Sequence, residues 1–340
     1  MRSVVRDLAL DLRGITVLTE AASGPFAVTA LLAALAGAER VLALTRDSRY
    51  GTAAEVERYL REWAAELGCA EPIEISRRPA AEVAAEAELV TNLGFVRPIS
   101  REVVERLPAD AAVSLMWEPW EFRPEEVDLE ACRQRGVPVL GTWESHPRLE
   151  IFRYVGILAL KLLLESEIEI AHSRVLVLAS DPFGAEIDRC LRVVGAEVRL
   201  VDPTAPQPWA DAGLEAFLAE ADAVVVAENR AEAPVIGEMA GLPVKWLVPA
   251  LPEVVSICGM LDSDALHRLG LRVHPFAPQV PRTMTVTTGY VGPRPVIDLH
   301  AAGLKVGEAL VRGMRKFQDP VRAVKFALKN SPGMDFPQPR

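Results

Sequence analysis

The stretch Val175–Asp202, VLVLASDPFGAEIDRCLRVVGAEVRLVD, restricts the fold more than any other part of the chain. Val175–Leu178 is a short apolar run with the branching of a buried strand. A tight turn follows. A helical pattern then runs from about Ala185 to Val194, with Gly195 placed to end it. A second strand, Glu197–Val201, finishes on Asp202. Strand, helix and strand at this spacing form a crossover unit, which commits both strands to a parallel sheet.

The unit has the outline of a nucleotide-binding turn, with most of the phosphate-binding glycines replaced. The usual fingerprint is G-x-G-x-x-G, with an acid about 20 residues further on. Here those positions read Ala179, Asp181 and Gly184, and the acid is Asp202. The second glycine normally lets a pyrophosphate approach the helix N-terminus. Asp181 puts a negative side chain there, which suits the helix dipole and a capping role but repels a phosphate. Asp202 is placed to hold a ribose hydroxyl. The candidate cofactor contacts are Asp181, Phe183, Gly184, Asp202 and Asn229, read as favouring a nucleoside over a pyrophosphate. The alternative is a unit retained as scaffold, since such folds host many functions.

Strands and helices alternate along the whole chain. Strand candidates in the first half are Ile15–Thr19, Arg40–Leu44, Ile73–Ser76, Leu89–Thr91, Ala112–Met116 and Val137–Gly141, with helices between them. A long helix is expected from about Pro147 to Ala171. A second set follows: Val175–Leu178, Val198–Val201, Ala223–Val226, Val244–Leu247 and Val254–Cys258. Two helices close the chain, about Leu299–Met314 and Pro320–Lys329, the latter starting at an Asp319-Pro320 cap. The proline-rich Pro275–Pro295 is expected to cross back over the first half. The pattern predicts an α/β fold with two Rossmann-like, doubly wound parallel-sheet domains, a cleft between them and a long connecting helix. The outer domain is expected to be 1–147 with 296–340, and the inner, nucleotide-binding domain 148–295.

A net charge of −10, with no basic stripe, argues against a nucleic-acid partner. Cys69, Cys132, Cys190 and Cys258 lie far apart without a CxxC, which excludes a zinc-ribbon spacing and fits a reducing cytoplasm. The scattered histidines show no HExxH spacing, so no metal is expected. Charges at Arg2, Arg6, Asp7, Asp11 and Arg13 interrupt any signal-peptide core. The longest apolar run, Val155–Leu164, is interrupted by Lys161 and is too short to span a bilayer.

From PISREVVERLPADAAVSL at Pro98, through VDLEACRQRGVPVLGT and RLEIFRYVGILALKLLLE, to CGMLDSDAL and VTTGYVG, the chain resembles the D-isomer-specific 2-hydroxyacid dehydrogenase family. The resemblance is in layout, over roughly Pro98–Gly292. It implies a discontinuous outer domain, an inner nucleotide domain, NAD or NADP as cofactor, and a homodimer. The signature residues differ. The family's catalytic arginine lies in a motif like A-R-G-G-L-V-D-E-D-A-L, where this chain reads SICGMLDSDAL and places Ile257 at the arginine. Ile257 cannot grip a carboxylate. The family's histidine motif T-P-H falls on Thr287-Thr288-Gly289, and its accompanying glutamate has no clear counterpart in Arg272–Pro278. His274 lies nearby and reads as an unpaired, structural histidine.

The family's glycine-rich substrate loop is replaced by WEPWEFRPEE, Trp117–Glu126. A second dense loop, Gly141–His146, follows the next strand. Both leave the carboxyl ends of strands, where α/β proteins bind ligands. Glu118, Glu121, Glu144 and His146 are the candidate catalytic residues. Trp117, Trp120, Trp143, Glu20, Tyr50 and Asn92 are the candidate substrate contacts. Aromatic faces beside carboxylates suit a cation or an amine, at ~0.5–2 kcal/mol per face. The alternative is packing tryptophans and solvated acids. Arg46, just after the second strand, is a weaker candidate for a nucleotide phosphate. Three functions follow as expectations. The first is an NAD(P)-dependent oxidoreductase acting on a small amine or cationic metabolite. The second is an S-adenosylmethionine-dependent methyltransferase. The third is an inactive binding or assembly subunit.

Overall fold

The computed structural model describes residues 1–336. The expected 296–340 segment therefore includes four residues, 337–340, outside the described ones. The chain divides into two compact units, Met1–Leu149 together with the chain from Pro293 onward, and Glu150–Gly292.

In the first unit α1 (Arg2–Asp7) precedes β1 (Thr16–Glu20), α2 (Val28–Leu35), β2 (Arg40–Leu44), α3 (Ala53–Glu66) and β3 (Ile73–Ser76). Then come α4 (Ala80–Val83), β4 (Leu89–Thr91), α5 (Arg101–Arg106), β5 (Ala112–Ser114), α6 (Leu129–Arg135) and β6 (Val139–Thr142). The central strands are buried on both faces, and β1 carries Thr16, Thr19 and Glu20 inward among its apolar residues. Thr52 and Glu55 form a reciprocal capping box that starts α3.

The second unit contains α7 (Arg153–Glu165), β7 (Arg174–Leu178), α8 (Phe183–Val193), β8 (Glu197–Val201), α9 (Leu214–Leu218) and β9 (Ala223–Ala227). A short parallel pair, β10 (Ile236–Gly237) and β11 (Leu242–Pro243), precedes β12 (Glu253–Cys258), α10 (Ser263–Arg268) and β13 (Val273–His274). The first unit is completed by α11 (Pro293–Phe317), α12 (Pro320–Asn330) and β14 (Gly333–Met334). Helix α11 lies close on its sheet, where a side chain at Gly303 would meet the Met116 sulfur at 2.7 Å. Asp262 and Asp319 cap α10 and α12 through the backbone N–H groups of Ala265 and Arg322, both at 3.0 Å.

Both units are doubly wound. The first sheet has the order β14-β6-β5-β4-β1-β2-β3, parallel except for β14, and the second the order β13-β12-β9-β7-β8, all parallel. The strand order reverses beside β1 in one and beside β7 in the other. These reversals are where open α/β sheets offer a crevice at the carboxyl ends of their strands.

Several elements differ from expectation. Val244–Leu247 forms a 3-10 turn, because four apolar residues after a proline read equally as strand or buried turn. The connecting helix is shorter than 147–171; Ser166 bonds back to the Leu162 carbonyl at 3.0 Å, and Glu167 adopts positive φ. Residues 275–292 belong to the second unit, and α11 begins already at Pro293.

Candidate functional site

At the first reversal, Glu20 ends β1 and Asn92 follows β4. Glu20 is buried, and one carboxylate oxygen accepts the Phe95 N–H at 3.1 Å. Burial pushes its pKa up to about 7, against the pull of the Phe95 N–H, Arg97, the Gly94 N–H and Arg46. The Asn92 amide oxygen accepts the Met116 N–H at 2.8 Å, while its Nδ2 has no partner among the described residues. Trp117 Nε1 is likewise buried without a partner. Two unmatched buried donors therefore stand beside the ends of β4 and β5.

The parallel pairing of β5 with β6 brings the two glutamate loops together. Glu118 Oε1 accepts the Glu144 N–H at 2.9 Å, and Glu144 Oε1 accepts the Glu118 N–H at 3.3 Å. Trp120 Nε1 donates to Glu118 Oε2 at 3.1 Å. Glu121 lies beside them on the same 3-10 turn, Pro119–Glu121. All three carboxyls are shifted upward. Glu144 stands well above the ordinary range through burial and the charges of Glu121 and Glu118. Glu121 is pushed to about 7 by burial, then by Glu118, with Glu126 adding to the rise and Arg123 pulling the other way. Glu118 rises through burial, moderated by the Glu144 N–H, Trp120 and the Ser145 N–H. Carboxyls so crowded and buried hold protons more tightly than free ones, which equips them for proton transfer or for an incoming cation.

Arg97 pairs with Glu126 and lies 5.3 Å from the Trp117 ring centroid. Trp143 is exposed and meets the His146 ring edge-on at 5.2 Å. His146 Nδ1 accepts the Arg148 N–H at 3.2 Å, and burial, then Arg148, lowers its pKa, so the ring is neutral at pH 7. Tyr50 projects on a small bend closed between Ser48 and Gly51, with Arg49 over its ring at 4.7 Å. Among the described residues no group of three or more His, Cys, Asp or Glu is arranged to hold a metal, and no helix is long and apolar enough to cross a membrane.

At the second reversal the turn after β7 is filled from within. Glu228, fully buried at the end of β9, accepts the Ser180 N–H at 2.8 Å and the Ser180 hydroxyl at 3.1 Å. It also accepts the N–H groups of Arg230 at 2.6 Å and Ala231 at 3.2 Å. Asp181 Oδ1 accepts the Ala185 N–H at 3.1 Å at the start of α8, and Pro182 supplies no N–H. The Ser180 hydroxyl also reaches Asn229 Oδ1 at 3.2 Å. Asp202 Oδ1 closes a local turn on the Thr204 N–H and hydroxyl, at 2.8 and 2.7 Å. Phe183, named above as a cofactor contact, is buried against Phe152 at 5.3 Å between ring centroids, a packing role. Gly184 survives for packing too: a Cβ there would meet the Ala179 carbonyl and Leu200 at 3.0 Å. Donors that a pyrophosphate needs are thus taken by two carboxylates. The turn does not fit that group.

Glu228 was not among the expected residues, and its one sequence signal is an acid directly after the apolar run of β9. His274 is not unpaired as expected. It lies 3.3 Å from Glu165, which also accepts the Tyr290 hydroxyl at 3.1 Å; their separation along the chain hides this. Ile257 is fully buried in β12, so no guanidinium occupies that place.

No protein-family model matches the chain, and no curated protein does either. Solved structures do. The A chain of dipicolinate synthase from Bacillus subtilis matches with a TM-score of 0.57 at 11% identity, covering 91% of this chain and 99% of that one. The corresponding subunit from Bacillus halodurans gives 0.56 at 13%, covering 86% and 96%. A putative D-3-phosphoglycerate dehydrogenase from Ralstonia solanacearum gives 0.50 at 12%, covering 93% and 100%. The chain shares the fold of these structures. At these identities the likeness to the dehydrogenases is one of fold, with two Rossmann-like sheets, and it leaves the chemistry to the residues described above.

Proposed function

We propose that this chain is a divergent dehydrogenase-fold enzyme that binds a small amine or cationic metabolite on its N-terminal unit. One observation carries the reading: Glu118, Glu121 and Glu144 are crowded together with raised pKa values beside Trp117 and Trp120. A cation entering there ionises the cluster, sends its protons to solvent and gains the aromatic faces. The unmatched N–H groups of Asn92 and Trp117 suit an acceptor on the same ligand. The fold suggests a nucleotide cofactor for an oxidoreductase, and the filled turn after β7 weighs against the pyrophosphate of NAD or NADP. Asp181 and Glu228 favour a second reading, a nucleoside cofactor without pyrophosphate such as S-adenosylmethionine, with Asp202 at the ribose.

The test is calorimetric titration of the purified protein with ethanolamine, choline and lysine, and separately with NAD(H), NADP(H) and S-adenosylmethionine. At least one amine should bind more tightly at pH 8 than at pH 6. Trp120→Ala should weaken that binding by about 3- to 30-fold. Absence of amine binding, or unchanged affinity in Trp120→Ala, sinks the proposal. The cofactor titration decides between the oxidoreductase and methyltransferase readings.

A further inference from the structure

The first unit contains a cavity of about 300 Å³ beyond the carboxyl ends of β2 and β3, lined among others by Thr45, Arg46, Arg77, Arg78, Phe95 and Arg97. Four guanidinium-bearing residues around one small cavity is an unusual concentration in a chain of net charge −10.

Their partners sort them. Arg77 pairs with Glu57 at 2.9 Å and Arg78 with Glu86 at 3.3 Å. Neither acid lines the cavity. The acid that does is Glu102, held by Arg106 at 2.9 Å. Arg97 is committed to Glu126 and to the face of Trp117. Arg46 is different. It donates to the Gly94 carbonyl at 3.2 Å and lies over the Phe95 ring at 5.2 Å, with no carboxylate ion pair among the described residues. Next to it, Thr45 is 3% exposed and its hydroxyl has no hydrogen-bond partner among the described residues. A buried hydroxyl without a partner is costly in a protein interior. A guanidinium without a carboxylate ion pair, whose charge reaches the protonatable Glu20, adjoins it, and together they mark a place where an acceptor-rich anion would complete the structure. Leu44, Phe95 and Val96 supply an apolar wall for a carbon skeleton.

We propose that this cavity is a binding site for the phosphomonoester group of a small metabolite, gripped by Arg46 and Thr45 with Arg77 and Arg78 at its rim. The oxygens of a phosphomonoester accept a forked guanidinium and a hydroxyl together, and its double negative charge outweighs that of a single carboxylate. Arg46 and Thr45 lie outside the tryptophan and glutamate loops, so variants at these two residues test the site separately from the amine reading.

Calorimetric titrations of the full chain with inorganic phosphate, ribose 5-phosphate, NADP, NAD and malate test it. Ribose 5-phosphate or NADP should bind, with NAD and malate at least tenfold weaker. Arg46→Gln should weaken binding by about 10- to 100-fold, and Thr45→Val by less. Arg46 is exposed, so its replacement leaves the core untouched, and an unchanged melting temperature checks this. Arg58→Gln, on the outer face of α3 and paired with Glu62, should change nothing. Preference for ribose 5-phosphate identifies a sugar phosphate as the source, and preference for NADP a nucleotide 2′-phosphate. Failure of all phosphates to bind, equal binding of malate, or unaltered affinity in Arg46→Gln overturns the proposal.

Discussion

The two units of this molecule both place acids beyond the carboxyl ends of their strands, and they treat those acids in opposite ways. In the second unit Glu228 receives four donors from Ser180, Arg230 and Ala231, and Asp181 receives the Ala185 N–H. Those carboxylates are finished parts of the scaffold. In the first unit Glu144 receives one backbone N–H, and Glu121 faces other acids with Arg123 in opposition. Burial and like charge raise the proton affinity of those carboxyls, and a cationic partner would lower it again. A charge that the protein satisfies contributes to folding, and one it leaves unsatisfied is available to a ligand. The difference separates a turn shaped like a nucleotide site from a pair of loops equipped to bind.

The contrast can be broken by substitution. The largest effect is expected at Glu228. Glu228→Ala strands several buried N–H groups and should cost about 3–5 kcal/mol in urea unfolding. A loss under 1 kcal/mol would remove the distinction between the two units. Glu20→Gln should do the reverse in a pH-dependent way. The folded pKa of Glu20, about 7, lies above its ordinary 4.5, so the native state binds the proton more tightly. Stability from this group is intact below pH 4.5, declines as pH rises, and is lost above about 7. Glu20→Gln should therefore be nearly neutral at pH 4.5 and more stable than wild type at pH 8, by up to about 3 kcal/mol. An equal effect at both pH values rules out the raised pKa. The smallest effect tests the filled turn: Asp181→Gly should tighten NAD binding by about tenfold, since it removes a charge from the phosphate seat. No gain in calorimetry would mean that Glu228 alone closes it.

Much of the fold was legible. Parallel strands covered on both faces favour continuous apolar runs, so β7 and β9 stand out from their neighbours. Caps at Asp262 and Asp319 are local chemistry and read directly. Val244–Leu247 did not, because an apolar tetrapeptide carries no period. At the site, the sequence pointed to the Trp117 and Gly141 loops because they follow strands. It could not show that Glu118 and Glu144, 26 residues apart, grip each other's backbone. Nor could it show that Phe183 turns inward or that His274 meets Glu165.

The sequence by itself determined the alternation of strands and helices, the loss of the phosphate glycines, and the absence of an arginine at Ile257. Each depends on residue identity and on spacing within a few turns of chain. Only the tertiary structure decided which acids are satisfied. Whether a carboxyl keeps its proton depends on the donors and charges within a few ångströms of it, and strand pairing brings those from distant parts of the chain.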